Sequence, residues 1–126
     1  MLEGVTLALR HNMEAGARGS APLERRLVVV GGAARSGLWM QVIADITGFP
    51  VWTITEDVEA ALGAARLAAI NVGLSGSGDW ITLAERARPD PARKRRYDAL
   101  FAAYVALYPA LKGTMHALAE LRGPAA

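Results

Sequence analysis

The chain has 126 residues, 52% hydrophobic and 21% charged, a composition that predicts a single globular domain over residues 1–126 with its own core. It has no Cys, and its two histidines lie at positions 11 and 116, so thiolate metal sites are excluded and a histidine metal site is not expected. A net charge of +2 argues against nucleic-acid binding. The opening residues lack signal-peptide features, and no apolar run approaches a membrane span, so we expect a cytoplasmic protein without a membrane partner.

The N-terminal third predicts a helix, a loop and a strand. Apolar residues recur at steps of three and four between positions 2 and 13, which places them on one helical face, and Gly16 predicts the end of this helix. The Gly, Ser and Pro content of residues 15–22 indicates a loop. RRLVVVGG, residues 25–32, is a short β-branched run that ends in glycine, which is typical of a buried parallel strand.

The middle of the chain predicts a helix, a strand and a second helix. Apolar residues have helical period from Ser36 to Thr47, and Gly48 supplies a stop. VWTIT, residues 51–55, alternates and is rich in β-branched residues, so we predict a strand. An Ala-rich helix follows over residues 59–74, with Thr55 as a plausible N-cap and the acidic Glu56 and Asp57 in its first turn.

The C-terminal third predicts a helix that opens with Asp90 as N-cap and Pro91 at its first position. Residues 84–88 have no clear period and are assigned to no element. Pro109 should kink or interrupt the helix, with a short final helix reaching about Arg122. An aromatic stripe at helical spacing is expected to pack against the sheet; it comprises Tyr97, Phe101, Tyr104 and Tyr108.

The resulting order is helix, strand, helix, strand, helix, helix, which is an α/β pattern with a short parallel sheet and flanking helices. Two strands make a very small sheet with unpaired groups at each edge. The chain is therefore expected to be part of something larger, or to complete its sheet with a partner chain.

Gly31 and Gly32 end the first strand and raise the possibility of a ligand site. Without a Cβ, the backbone there can adopt conformations closed to other residues and can let a ligand approach closely. The following helix would direct its free N–H groups to the same place, as in phosphate sites. Ser36 could cap that helix, donate a hydrogen bond to a ligand, or do both. The alternative is that the two glycines only shape a tight turn.

Gly63 lies inside the Ala-rich helix, where glycine costs roughly 1 kcal/mol relative to alanine. Its neighbours are Ala60, Ala61, Ala64 and Ala65, so the helix has a smooth face of small residues. Either another backbone packs closely on this face, or a flat ligand such as a purine does.

Several charged and aromatic residues have simpler interpretations. ARKRR, residues 92–96, is read as a solvated helix face, and Asp45 as solvated or a helix contact. The tryptophans are expected in core or rim packing; they are Trp39, Trp52 and Trp80. None of these features indicates a catalytic residue or a metal site.

Three segments together resemble the C-terminal domain of the FGGY carbohydrate kinases, most closely the xylulose kinase branch. They are VVVGGAARSGLWMQVIADITG, EDVEAALGAARLAAI and RYDALFAAYVALYPALK, in that order. The first is similar to the family signature GGGA-(K/R)-S-x-x-W-x-Q, with Ala33 at the third glycine. The resemblance runs over nearly the whole chain, from EGVTLALR to LYPALK.

The resemblance implies an ATP-dependent sugar kinase with a partial actin-like, ribonuclease H-like ATPase domain. It places Gly31, Gly32 and Ala33 near the ribose and phosphates of ATP, and Ser36 and Gly63 near the adenine. It also implies Mg²⁺ held mainly by residues outside this chain.

Family members are about four times as long, and their sugar pocket, phosphate-binding loop and general-base aspartate all precede the matched part. We therefore expect this chain to be the nucleotide-binding portion of such an enzyme and to phosphorylate nothing alone, with the sugar bound only when the missing part is present. The exposed strands should drive homo-oligomerisation. The alternative function is a non-catalytic, oligomeric α/β interaction module.

Overall fold

The computed structural model describes residues 1–19, 24–55, 59–74 and 80–121. The predicted roles of Glu56 and Asp57 in the first turn of the Ala-rich helix lie outside these residues, as does the predicted C-terminal tail. Among the described residues, no helix is long and apolar enough to cross a membrane.

Four helices and three strands follow one another along the described chain. The helices are α1 Leu2–Ala17, α2 Gly37–Thr47, α3 Glu59–Asn71 and α4 Pro91–Leu121, and the strands are β1 Leu27–Val28, β2 Val51–Ile54 and β3 Leu83–Ala87. A short 3-10 turn, Gly32–Arg35, connects β1 to α2.

The sheet has the order β1-β2-β3. β1 pairs in parallel with β2, with Leu27 opposite Val51, which confirms the predicted parallel pair. β3 pairs antiparallel on the other side of β2, so the sheet is mixed and has a strand that the sequence did not predict. Its sequence LAERA carries two charged residues and does not alternate regularly, and a register shift interrupts its pairing with β2. The strand therefore forms through its pairing with β2 and not through its own β propensity.

α2 is the centre of the packing. Its first side packs Met40, Ile43 and Ala44 against Val51 of β2 and Ala87 of β3. Its second side packs through Ile46, which is fully buried, against Leu7 of α1 and Phe101 of α4; the partly buried residues around this second cluster are Val42, Tyr97 and Tyr104. Gly48 ends the helix with φ 76°, a left-handed conformation that glycine adopts without a Cβ clash, which confirms the predicted stop.

α4 does not end at Pro109. It runs as one helix from Pro91 to Leu121 with Pro109 inside it, so the predicted interruption and separate final helix are wrong. Proline removes one helical hydrogen bond, and the carbonyl of Val105 that loses its partner lies on an exposed part of the helix, where water can bind it.

The aromatic stripe of α4 packs against helices and not against the sheet, so its expected packing partner was wrong. Phe101 lies in the cluster with Leu7 and Ile46, and Tyr97 and Tyr104 pack beside it. Tyr108, the last member of the stripe, is 57% exposed. The apolar surface of α1 and α2 covers the first half of the stripe, and the helix then extends past it.

Asp45 is buried at 2% exposure, which corrects the expectation of a solvated residue. Its carboxylate accepts hydrogen bonds from the backbone N–H of Asp90 at 2.8 Å and from Gln41 Nε2 at 2.9 Å, and Arg93 Nη1 lies 3.4 Å away. It is indeed a helix contact, and its bonds join α2 to the start of α4.

The basic run at residues 92–96 is partly engaged in local ion pairs. Lys94 Nζ lies 2.7 Å from Asp98, one helical turn further on, and Arg93 contacts both Asp45 and Asp90. Asp90 caps the helix as predicted, because its side chain accepts from the backbone N–H of Ala92 at 2.8 Å.

Candidate functional site at the strand-end glycines

The turn after β1 depends on glycine at one position. Gly31 has φ 80° and ψ −166°, a conformation that only glycine adopts readily. It begins the 3-10 turn, in which the N–H of Ala34 donates to the carbonyl of Gly31 at 3.0 Å and that of Ser36 to the carbonyl of Ala33 at 3.1 Å. The predicted conformational role of glycine at this strand end is thus confirmed for Gly31.

Gly32 has a different environment. Its φ is not positive, and a Cβ added to it would meet no atom within 4 Å. The turn therefore has no need of glycine at position 32. A tight turn alone explains Gly31 and leaves the second glycine unexplained, whereas close approach of a ligand to the main chain explains both.

The next two residues of the predicted site contribute in different ways. Ala33 is half-buried, and its side chain packs against the core cluster around Met40, so its main chain is what remains to face a ligand. Ser36 caps α2 as predicted, because its Oγ accepts a hydrogen bond from the N–H of Trp39 at 3.3 Å. The Oγ thereby acts as an acceptor, which leaves the hydroxyl proton available for donation.

The sequence suggested that the α2 helix follows the glycines directly, but it does not. It begins at Gly37, after the 3-10 turn, so the nearest main chain to the glycines is that turn and not the first turn of α2.

A hollow of about 250 Å³ lies between this turn and the ends of β2 and β3. It is formed at the carboxyl end of β2, which is where open α/β sheets place their ligands. The residues that line it are Gly31, Ala34, Arg35, Thr53, Ile54, Thr55, Ala84 and Arg86.

The β2 and β3 residues of the hollow were not predicted as site residues. Thr53 is 8% exposed, and its backbone lies opposite Ala84 in the antiparallel pair. The alternation of VWTIT could have indicated that Val51 and Thr53 share the buried face. No signal in the sequence pointed to Arg86, because β3 itself was not recognised.

Gly63 lies apart from this hollow and is not among its lining residues. It is on α3, a helix that is exposed along most of its length, and a Cβ at this glycine would meet no atom within 4 Å. Close packing of another described backbone therefore does not account for this glycine.

The lining of the hollow is basic. It includes two guanidinium groups, Arg35 and Arg86, and no carboxylate among the described lining residues. In the described part of the chain, no group of three His, Asp or Glu side chains could hold a metal ion. The arrangement suits an anion bound against an open main chain.

The comparisons with known proteins agree on one protein family. Residues 1–72 match the model of the C-terminal domain of the FGGY family of carbohydrate kinases. A ribulokinase from Mycolicibacterium smegmatis is 36% identical over 86% of this chain and 20% of its own length. A xylulose kinase from Staphylococcus xylosus is 28% identical over 86% of this chain and 23% of its own length.

A solved structure also matches. The crystal structure of xylulose kinase from Rhodospirillum rubrum superimposes with a TM-score of 0.76 and 34% identity, over 91% of this chain and 24% of that one. The fold is thereby confirmed as part of the actin-like ATPase fold of sugar kinases. This chain spans about a fifth to a quarter of the length of the relatives it matches.

Proposed function

Because this chain belongs to the FGGY family of carbohydrate kinases, we propose that it is the nucleotide-binding part of a sugar kinase. The complete enzyme would transfer the γ-phosphate of ATP to a hydroxyl of a sugar of the xylulose type. Relatives are named for ribulose and for xylulose, so the substrate class is a small polyhydroxylated sugar.

The observation that carries the proposal is the pair of glycines in the turn after β1. Gly31 is required by its backbone conformation, and Gly32 leaves open space where a side chain would stand. A nucleotide can therefore lie against the main chain of residues 31–33, with Ser36 close by at the start of α2. Gly63 would present the small-residue face of α3 to the adenine ring.

ATP supplies the phosphoryl group that is transferred, and Mg²⁺ neutralises the charge on its phosphates. The open main chain at Gly32 and the basic hollow fit a phosphorylated ligand. Carboxylates of the described chain form no cluster suited to the metal, so we assign Mg²⁺ mainly to the phosphates and to the other three quarters of the enzyme.

The chain alone should not phosphorylate a sugar. Transfer needs a bound acceptor and usually a base near its hydroxyl. The buried carboxylate of the described chain, Asp45, is held by Gln41 and the backbone of Asp90, so it is not available as a base. The sugar and the general base are assigned to the remainder of the enzyme.

Calorimetric titration of the purified chain with MgADP tests this function. We expect saturable binding that Gly32→Val abolishes, because the added side chain would occupy the space of the ligand, and its Cβ would meet no protein atom within 4 Å. The matched control is Gly4→Val, which adds the same side chain in equally open surroundings on α1 and should bind as the original chain does. Binding that survives Gly32→Val would overturn the proposed site.

A second candidate function, a non-catalytic oligomeric module, has one observation in its favour. The second half of α4 exposes an apolar row at heptad spacing that continues the buried stripe of the first half; the row comprises Tyr108, Leu111, Met115 and Leu118. A second copy of α4 could cover this row in the same way as α1 and α2 cover Phe101.

Light scattering coupled to size exclusion separates the two candidates. The module function requires a concentration-dependent oligomer without MgADP binding, dissociated by Leu111→Glu. Ala106→Glu adds the same charge on an exposed position away from the row and should leave the oligomer intact. A compact monomer that binds MgADP would exclude the module.

A further inference from the structure

Thr53 is a buried hydroxyl without a partner in the described chain. It shares a face of β2 with Val51, which is in the core, and only 8% of the residue is exposed. Its Oγ1 makes no hydrogen bond to any described residue, whereas the hydroxyl of Thr55 donates to the carbonyl of Thr82 at 3.3 Å. Burying an unpaired hydroxyl costs about 1–3 kcal/mol, and valine would fill the same volume without that cost.

The irregularity in β3 adds a charged group beside Thr53. Trp52 pairs with Glu85 and Val51 with Ala87, so one extra residue, Arg86, stands between the two pairs. Such an irregularity lets the side chains of adjacent residues lie on the same face of the sheet. Ala87 packs in the core beside Val51, and Arg86 lines the hollow together with Thr53.

Arg86 is exposed and makes no ion pair with any described residue. A guanidinium group is always charged and offers several donors in a fixed plane, which suits the oxygens of a phosphate. Thr53 shares the lining with Arg86, and no described lining residue is a carboxylate, so the hollow offers donors and positive charge and nothing in the described lining that repels an anion.

We propose that Thr53 and Arg86 bind a phosphate group of the nucleotide in this hollow. The Thr53 hydroxyl donates a hydrogen bond to a phosphate oxygen from the floor, and Arg86 contacts the same group from the edge. The inference rests on the proposed function, since it takes the phosphate to be that of the nucleotide. It adds a binding role for β3, the strand that lies beyond the family's matched residues 1–72.

Calorimetry with three probes tests it on the purified chain: MgADP, pyrophosphate and adenosine. We expect Thr53→Val and Arg86→Gln each to weaken MgADP and pyrophosphate binding about tenfold, because each removes a hydrogen bond to a charged group. Adenosine binding should not change. Arg96→Gln removes the same charge from an exposed position on α4 and should leave all three affinities as they were.

Thermal unfolding supplies a second readout. If the Thr53 hydroxyl had a purely structural role, Thr53→Val would not raise the unfolding midpoint. Thr53→Val should raise the unfolding midpoint of the ligand-free chain by about 3 °C, because it removes an unpaired buried hydroxyl. A variant that is more stable and binds phosphate less well is the expected result.

Two results would overturn the inference, and they are distinguishable from failure of the proposed function. If MgADP binds and neither variant weakens it, the nucleotide site stands and the phosphate does not lie in this hollow. If pyrophosphate does not bind the original chain at all, the hollow is not an anion site, whatever MgADP does. If only Gly32→Val abolishes MgADP binding, the site at the glycines stands and Thr53 and Arg86 have no part in binding the phosphate.

Discussion

The helices α2 and α3 carry the two segments that most resemble the kinase family, and their surroundings differ sharply. α2 is packed on two sides and ordered at both ends, by the Ser36 cap and by Gly48. α3 exposes most of its surface, including Leu67 at 71% and Ile70 at 53%. The difference indicates that this chain fixes the glycine turn before α2 by its own packing, while it leaves the small-residue face of α3 exposed.

Core truncation should separate the two helices most clearly. Ile46→Ala should lower the free energy of unfolding by about 3 kcal/mol, because Ile46 is fully buried between Leu7 and Phe101. Leu67→Ala on α3 should change it by less than about 0.5 kcal/mol, since that side chain is exposed. Urea denaturation measures both, and equal losses would mean that α3 is packed as α2 is.

Loss of the Asp45 carboxylate should have the next largest effect. Asp45→Ala leaves the backbone N–H of Asp90 without its acceptor and removes one of the two acceptors of Gln41 Nε2, the other being the carbonyl of Arg88, so we expect a loss of about 2 kcal/mol. Glu120→Ala, on the exposed end of α4, serves as the control and should be neutral. An unchanged denaturation midpoint for Asp45→Ala would refute the proposed link between α2 and α4.

Glycine replacement tests the exposed face of α3. Gly63→Ala and Gly113→Ala each add a methyl group in open surroundings on an exposed helix, and each should stabilise the chain by about 1 kcal/mol. Only Gly63→Ala should also alter nucleotide affinity, because only that glycine is assigned to the adenine. If both variants bind MgADP as the original chain does, Gly63 has no part in the site of this chain.

The smallest effect should be a pH dependence at the edge of the second core cluster. The hydrogen bond from Lys94, with a smaller contribution from Arg10, lowers the pKa of Asp98 below its usual value of 3.8. A carboxyl whose pKa is lowered on folding stabilises the fold at pH values above its pKa in the unfolded chain. This stabilisation is lost as the pH falls through its pKa in the folded chain. Asp98→Asn should therefore be less stable than the original chain at neutral pH, with a deficit that shrinks at about pH 3.

Urea titrations at the two pH values measure this deficit. Because Asp98 is 39% exposed in its side chain, solvent screening keeps the effect small. A deficit that grows in acid would reverse the assigned direction of the pKa shift.

Local patterns were sufficient for most of the fold and for the glycine turn. The cap at Ser36, the stop at Gly48 and the parallel pair of β1 and β2 each follow from short-range chemistry, and the structure confirms them. β3 could not be predicted in this way, because its pairing depends on β2 and contains an irregularity. The buried role of Asp45 was missed for a related reason: its main partner, the N–H of Asp90, is 45 residues away.

The site shows the same division. Gly31, Gly32, Ala33 and Ser36 are consecutive or nearly so, and the turn brings them together as the sequence suggested. Of these four, Gly31 lines the hollow; Thr53 and Arg86 join it through the sheet, and Gly63 does not reach it. The sequence therefore suggested the candidate residues that one turn brings together, and it did not suggest those that strand pairing adds to the hollow.

Amide chemical-shift mapping by NMR would show whether the turn after β1 binds nucleotide in this chain. On addition of MgADP, we predict shifts concentrated at residues 31–36, at Thr53–Thr55 and at Arg86. Shifts that are absent, or that cluster on the second half of α4 while the glycine turn is unaffected, would contradict the account.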